Sequence, residues 1–597
     1  MRRLIYIFII GLLLCSYTWA DGSRYASKSL LSEGKWVKIR VDKTGIYKLS
    51  YADLKNMGFS DPSKVSVHGY GGWPLDEDFS KEYIDDVPST PVWRGSDYLL
   101  FYGKGSVKWE YDSSSQTFVH TNNPYCLYGY YFVTDATPTN DMTSVAQASG
   151  ASTRITTYDD YLLHEQELVS VNQSGREFFG EDFSGARPRT ISTFSSIPGI
   201  TDADGKVTMR FISRINSGSG TASLSINDSE LLDITIPSIQ TVSSNVRSYT
   251  KAIPGTTTAL WKGSKSEKNN VVVSYSSSGH TNVRLDYIRM QFVRTLRPYG
   301  ACTFFRSLTS VGNASRFVIS EANSNTLVFD VTDALNVKRV EADLNGSELS
   351  FTIPAGRLRE FVLVQTNQTF PSPEVVGEVA SSNLHGLEQR DMIIISAPSL
   401  VQQAERLAVA HREKDGLTVE VVTPEAIYNE FSSGTPDATA YRRLMKMFYD
   451  RSSSLGNPPK YLLLFGDGIY DNRGISGEVQ GVSRSNMLLT FQSQESLNVY
   501  SYATDDYFAF LEDISGSNFS RDKMCLGVGR FPIRTVTEAT QMVDKTISYM
   551  ENKDSGSWKN NVTFVADDGN NEDSFTTNHM KQADQLAEAI EEMQPGF

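Results

Sequence analysis

Two hydrophobic rhythms divide the chain. In the first, apolar and polar residues alternate with the period of a strand. WVKIRV (36–41) alternates, Thr44-Gly45 precedes IYKLS (46–50), and the pair predicts a hairpin. Residues 51–57 followed by Gly58 predict a short helix and its stop. VSVHGYGGWP, DYLLFYG and CLYGYYFVT follow as aromatic strands with glycine turns. Residues 155–200 are polar and predict no clear element. Then VTMRFISRI, ASLSIN, NNVVVSYS and VRLDYIRMQF predict a β-sandwich between 205 and 295. FVIS, TLVFDVT, SFTIP and REFVLVQ, within 313–366, predict a second, small β unit.

The second rhythm begins near 388. MIIIS (392–396), TVEVV (418–422), YLLLF (461–465), CLGVG (525–529) and VTFVA (562–566) are short apolar runs. Between them lie helical patterns: Val401, Ala404, Leu407, Ala408 and His411 on one face, and Tyr441, Leu444, Met445 and Phe448 on another. A third helix would turn Ala539, Met542, Val543, Ile547 and Met550 inward, and a last one Met580, Ala583, Leu586, Ala587, Ile590 and Met593. Strand and helix alternate, which predicts an α/β layer with a mainly parallel sheet covered on both faces. The expected divisions are 21–150, a β-rich domain; 151–300, the sandwich; 301–387, a small β unit and linker; and 388–597, the α/β region.

Composition changes this picture little. The 597 residues exceed what one core supports and suit several domains. A formal charge of −14 argues against a nucleic-acid partner, whose footprint is basic. The N-terminus changes it more. MRR, the apolar run LIYIFIIGLLL and Thr18-Trp19-Ala20 read as a secretory signal peptide over 1–20. Leu14-Cys15 is a weaker lipoprotein signal, since a small residue should precede that cysteine. Beyond the signal only Cys126, Cys302 and Cys525 remain, too few and too far apart for a disulfide framework or a zinc site.

In open α/β sheets ligands bind beyond the carboxyl ends of the strands. Asp467 and Asp471 on the rim after YLLLF, Asp505, Asp506, Asp567 and Asp568 all fall at or near such ends. FGDG (465–468) is similar to the strand-end FGDS of a serine esterase family, but Gly468 stands where the nucleophile would be. Asp567, Asp568 and Asp573 could supply oxygens to a structural Ca²⁺; solvated, helix-capping carboxylates are the equal alternative. A Cys–His dyad would have to come from Cys525 with His411 or His579, yet Cys525 is expected inside a strand, where a thiol is buried and inert. His68 is read as a structural strand-end histidine.

YLLLFGDGIYDN, YATDDYFAF (502–510), LGVGRFPIRTVTEATQMVDKTISYM (526–550) and VTFVADDGNNED resemble the gingipain-type C25 cysteine peptidases, which have a caspase-like α/β fold. WVKIRVDKTGIYKLSYADL and VSVHGYGG are similar to the front of that family's type IX secretion system sortase branch. The resemblance implies a signal peptidase at the outer-membrane surface. It would cleave C-terminal sorting domains from secreted cargo and join the cargo to anionic lipopolysaccharide. It would act beside an outer-membrane shuttle barrel and other attachment-complex subunits. The chemistry implied is a Cys thiolate attacking a peptide carbonyl, with a His carrying the proton and no cofactor required. The family's Gly-His-Gly turn and nucleophile strand follow the VADDG block. Both are therefore expected downstream of Phe597, and this chain is read as a form without the dyad and without peptidase activity. In arginine-specific members an Asp lies at the base of the S1 pocket. Asp505 occupies the matching position, and Asp505 and Asp506 are expected to wall a substrate pocket. The alternative reading is a non-catalytic binding or structural subunit whose working part is the sandwich region.

Overall fold

The computed structural model describes residues 24–593, apart from 82, 152, 186, 240–249, 278–279, 478–485, 517–520, 554 and 567–573. The signal peptide and Leu14-Cys15 lie outside the described residues, as do Asp567, Asp568 and Asp573. Among the described residues no helix is long and apolar enough to cross a membrane.

The front of the chain is β-rich, as its alternation predicts. The predicted hairpin does not form, because its two strands enter different sheets: Trp36–Val41 pairs antiparallel with Gly129–Thr134, and Gly45–Ser50 with Tyr98–Gly103. The short helix Tyr51–Asn56 is started by a capping box: the Ser50 hydroxyl accepts from the Asp53 N–H, and the Asp53 carboxylate accepts from the Ser50 N–H. The far edge of the first sheet comes from distant sequence, where Glu374–Glu378 pairs with Trp36–Val41. His68 is buried between the Val87 carbonyl (2.9 Å) and the Thr137 hydroxyl (2.8 Å), a structural histidine.

Next come two four-stranded sheets packed as a sandwich around Val207, Met209, Phe211, Leu224, Val273 and Ile288. Thr157–Glu165, in the stretch whose sequence predicts no element, is an edge strand of one sheet, paired along its length with His280–Thr295. Its residues Tyr-Asp-Asp-Tyr hide the period, because both aspartates have protein partners: Asp160 pairs with Arg294 at 2.8 Å, and the Asp159 carboxylate accepts from the Leu308 N–H. A third β unit follows, held by Phe305, Phe317, Phe351 and Phe361, with Phe317 stacked on Phe351 at 5.2 Å.

The α/β region contains β1 (Met392–Ser396), α1 (Val401–Lys414), β2 (Val419–Val422), α2 (Pro424–Phe431), α3 (Ala438–Leu455), β3 (Tyr461–Phe465), β4 (Gly527–Phe531), α4 (Val536–Met550) and α5 (Ser574–Met593). All four strands are parallel, in the order β2-β1-β3-β4. Ile393, Ile394, Ile395, Leu464 and Phe465 are fully buried, which explains their unbroken apolar runs. On α1 the predicted face is buried at Ala404, Leu407 and Ala408, and on α4 at Ala539 and Val543.

Three expectations for this region are corrected. The strand predicted at 525–529 lies two residues later, at Gly527–Phe531, because Cys525 and Leu526 lead into it from a loop. VTFVA forms no strand; Val562, Phe564 and Val565 are exposed, Val565 to 93%. The last helix exists, but Met580, Leu586 and Met593 face solvent, since nothing among the described residues packs on them.

Helix α3 departs in the opposite sense. Even its polar side chains Arg442, Arg443, Lys446 and Asp450 are buried. The front β unit covers that face. Arg442 donates to the carbonyls of Glu77 (2.7 Å), Phe510 (2.6 Å) and Ser515 (2.8 Å) and lies over the Phe79 ring. One guanidinium thus replaces water for three buried carbonyls and ties the front unit to the α/β region.

Candidate functional site

The parallel sheet presents one rim that matters: the loops leaving the carboxyl ends of β1, β3 and β4. β3 ends at Phe465. The chain turns there because the Gly466 N–H reaches the Phe531 carbonyl (3.2 Å) and the Asp467 N–H reaches that of Ile533 (3.1 Å). Asp467 then faces Arg534 in an ion pair, and its other oxygen accepts from the Gly468 N–H at 2.8 Å. Asp467 is spent on holding the turn.

Gly468 has a steric reason to be glycine. A Cβ there would sit 2.5 Å from Thr490 Cγ2, and Thr490 is itself buried. The serine that an esterase reading needs has no room.

Asp471 is fully buried and builds the next loop. It accepts from the N–H groups of Gly474 (2.7 Å) and Ser476 (2.8 Å) and from the Ser476 hydroxyl (2.9 Å). Burial pushes its carboxyl up, but those donors outweigh burial and hold it below the usual range.

Asp505 meets a partner that its sequence neighbourhood does not show. Arg530, from the Gly-Arg-Phe-Pro block on β4, grips it with two bonds of 2.8 Å, Nε to Oδ2 and Nη2 to Oδ1. The same guanidinium reaches the carbonyls of Gly466 (3.2 Å) and Leu489 (3.3 Å). Arg530 therefore fastens three loops of the rim to one point. Asp506 starts the short 3-10 turn that follows; it is exposed, with its N–H on the Thr504 hydroxyl at 3.1 Å. Tyr507 behind it is buried and stacks on Phe491 at 3.8 Å. The aspartates of this rim are thus brought together, with the carboxylates of Asp467 and Asp505 each already matched to an arginine.

The thiol and imidazole candidates lie elsewhere. Cys525 precedes β4, so it sits at the amino edge of the sheet, opposite the rim. It is half-buried, not enclosed in a strand as expected, and its thiol faces the Lys523 carbonyl at 3.8 Å. His411 lies in the last turn of α1 and pairs with Asp415 at 2.6 Å. His579 is exposed on α5.

One histidine outside these candidates is far more constrained. His385 is buried, with Nδ1 on Glu430 (2.7 Å) and Nε2 on Asp85 (3.0 Å), and its ring lies flat on Phe431. Burial pushes the imidazole down, but hydrogen bonds to Asp85 and Glu430 outweigh it and raise it to about 9. Asp86, His385 and Glu430 lie close enough to suggest a metal centre. Their oxygens and nitrogens are taken, however. Asp86 accepts from Ser29 and the Leu30 N–H, and Glu430 from the N–H groups of Leu384 and His385. The cluster is a protonated clasp between the front unit and α2. Neither partner is near His385 in sequence, so no local signal announces it.

The sequence profile of peptidase family C25 matches residues 385–597. The crystal structure of dimeric latent PorU from Porphyromonas gingivalis aligns with 37% identity and a TM-score of 0.81, over 90% of this chain and 51% of that one. The chain therefore spans about half the length of that protein. A CBM35 structure from Cellvibrio japonicus Abf62 aligns at 15% identity over 23% of this chain and 97% of that one, but its TM-score of 0.13 carries no argument. No curated protein matches.

Proposed function

Because residues 385–597 belong to peptidase family C25 and the chain as a whole is PorU-like, we propose that it is a type IX secretion sortase that frames the peptidase site. Its substrates are secreted cargo with C-terminal sorting domains, cleaved and passed to anionic lipopolysaccharide at the outer-membrane surface, beside the shuttle barrel and its attachment partners. The reaction runs through a cysteine thioester: a thiolate attacks the scissile carbonyl, the peptide amine leaves with a proton from a histidine, and an incoming amine or water releases the acyl group.

The observation that carries this reading is the rim itself. Arg530 on β4 and Asp505 lock the connection between β3 and β4 into a preformed wall, while Gly468 is sterically barred from carrying a nucleophile. Asp505 and Asp506 stand in that wall as pocket residues. The thiol of the reaction is not Cys525, which occupies the wrong edge of the sheet.

The test is to treat the chain with a peptidyl acyloxymethyl ketone, which alkylates an activated thiolate. Cys525 should react no faster than a free thiol, and Cys525→Ala should change nothing. Stoichiometric, rapid alkylation at Cys525 would overturn the assignment.

A further inference from the structure

A small cavity, about 160 Å³, lies where the front β unit meets α3. Trp73, Asp76, Lys104 and Lys108 line it from the front unit, and Arg443 from α3. It is smaller than the pockets of about 300–1,000 Å³ that take organic ligands. It is larger than the room of about 30 Å³ that one water needs.

The lining is basic, with three cationic side chains against the single carboxylate of Asp76. Two of these four groups are already matched. Asp76 pairs with Lys81 at 2.9 Å, and Lys108 with Glu110 at 2.7 Å. Lys104 and Arg443 are not matched. The field of Asp333 reaches Lys104 and that of Asp437 reaches Arg443, each from beyond ion-pair distance. Asp437 is engaged elsewhere, accepting from the N–H groups of Leu75 (3.1 Å) and Thr439 (2.8 Å).

Both unmatched residues are buried, Lys104 to 8% exposure and Arg443 to 5%. The Lys104 ammonium lies over the Trp73 ring, 4.4 Å from its centre, and makes no hydrogen bond among the described residues. Arg443 gives Nη1 to the Phe431 carbonyl (3.3 Å) and the Tyr70 hydroxyl (3.5 Å), and its Nη2 has no partner among the described residues. The Arg443 Nε is sealed in protein; Lys104 Nζ and Arg443 Nη2 are not, and the cavity is the space that both residues line. Burial, and then Lys108, push the Lys104 ammonium down to about 8. Two buried cations without counter-ions are costly. A monovalent carboxylate would leave one of them unmatched. A tetrahedral dianion matches both charges and has oxygens enough for an ammonium and a guanidinium together.

We propose that this cavity binds a free tetrahedral dianion, hydrogenphosphate or sulfate, between Lys104 and Arg443, with Lys108 adding to the field. The site lies apart from the rim aspartates and does not rest on the peptidase reading.

Titration calorimetry on the whole chain near pH 7, with chloride holding the ionic strength constant, should show sulfate binding once per chain with a Kd of about 1 mM or tighter. Phosphate should compete with it. Lys104→Met keeps the aliphatic stem and should weaken sulfate binding at least roughly tenfold. Asp76 and Lys108 are partly exposed, so their variants keep the test sound if Lys104→Met does not fold. Asp76→Asn should tighten binding about threefold and Lys108→Met weaken it about threefold. Glucose 6-phosphate carries the dianion on a body too large for the cavity, and should bind at least roughly tenfold more weakly than phosphate. No sulfate binding at about 10 mM, binding undiminished in Lys104→Met, or binding indifferent to both surface charges would each overturn the proposal. Glucose 6-phosphate binding as tightly as phosphate would overturn the assignment to a free ion.

Discussion

The two flanks of the parallel sheet carry similar hydrophobic patterns and meet opposite fates. On the inner flank, β1, β3 from Leu462 onward and most of α3 are buried, down to the charged side chains Arg442, Arg443, Lys446 and Asp450. On the outer flank β4 is half-exposed, and the chain beyond it continues into VTFVA, which is bare, and α5, whose Leu586 and Met593 are 56% and 70% exposed. The inner flank is covered twice, by its own helices and by the front β unit. The outer flank has no such cover among the described residues. Periodicity tells which face of an element is apolar; it does not tell whether anything comes to bury that face.

The largest expected effect tests this contrast directly. Leu464→Ala removes a fully buried side chain from β3 and should cost about 2–5 kcal/mol. Leu586→Ala on α5 should stay within about 0.5 kcal/mol. Urea unfolding of each variant, followed at the transition of the α/β region, measures both. A penalty at Leu586 equal to that at Leu464 would mean that the outer flank is packed in solution.

That contrast also marks how much was legible in the sequence. MIIIS and YLLLF announced buried strands, and Ala404, Leu407 and Ala408 announced the buried face of α1, because both flanking layers are local to the same region. The exposed VTFVA did not betray itself, since a strand needs a neighbour to pair with. The rim aspartates were found from strand ends, but their partners were not. Arg530 lies 25 residues from Asp505, and Arg534 lies 67 from Asp467. Ion pairs of that separation leave no spacing signal. His385 shows the same limit more sharply, because Asp85 is 300 residues away.

His385 tests the inner flank from another side, through the clasp that joins it to the front unit. Its imidazole is raised to about 9 in the folded protein, against about 6.5 unfolded. The folded state therefore binds the proton more tightly. The stabilisation is complete below about pH 6.5 and is lost as pH rises through about 9. At about 1.4 kcal/mol per unit, it is on the order of 3 kcal/mol. His385→Gln cannot charge, so its stability should lie below the wild type near pH 6 and converge towards it near pH 10. A variant that instead tracks the wild type at a constant offset across that range would show that the ring acts only by packing on Phe431.

The smallest effect is expected at the seam between the flanks, where Arg530 on β4 holds Asp505. The pair is partly exposed, 12% and 24% by side chain, so solvent and salt screen it. Asp505→Asn keeps one acceptor oxygen and loses the charge, while Arg530 keeps the Gly466 and Leu489 carbonyls. The loss should be about 1 kcal/mol, and it should shrink further in high salt. The consequence for binding is more telling than the stability. An Asp at the base of an open pocket would attract a cationic side chain, and its removal would weaken that ligand. Here the carboxylate is already matched by a guanidinium that also carries two loop carbonyls, so an entering arginine must break that arrangement to gain an equal one. An arginine-ended peptide should therefore bind wild type and Asp505→Asn alike. If it binds only the wild type, Asp505 trades Arg530 for substrate, and the seam is a pocket that opens on demand instead of a wall.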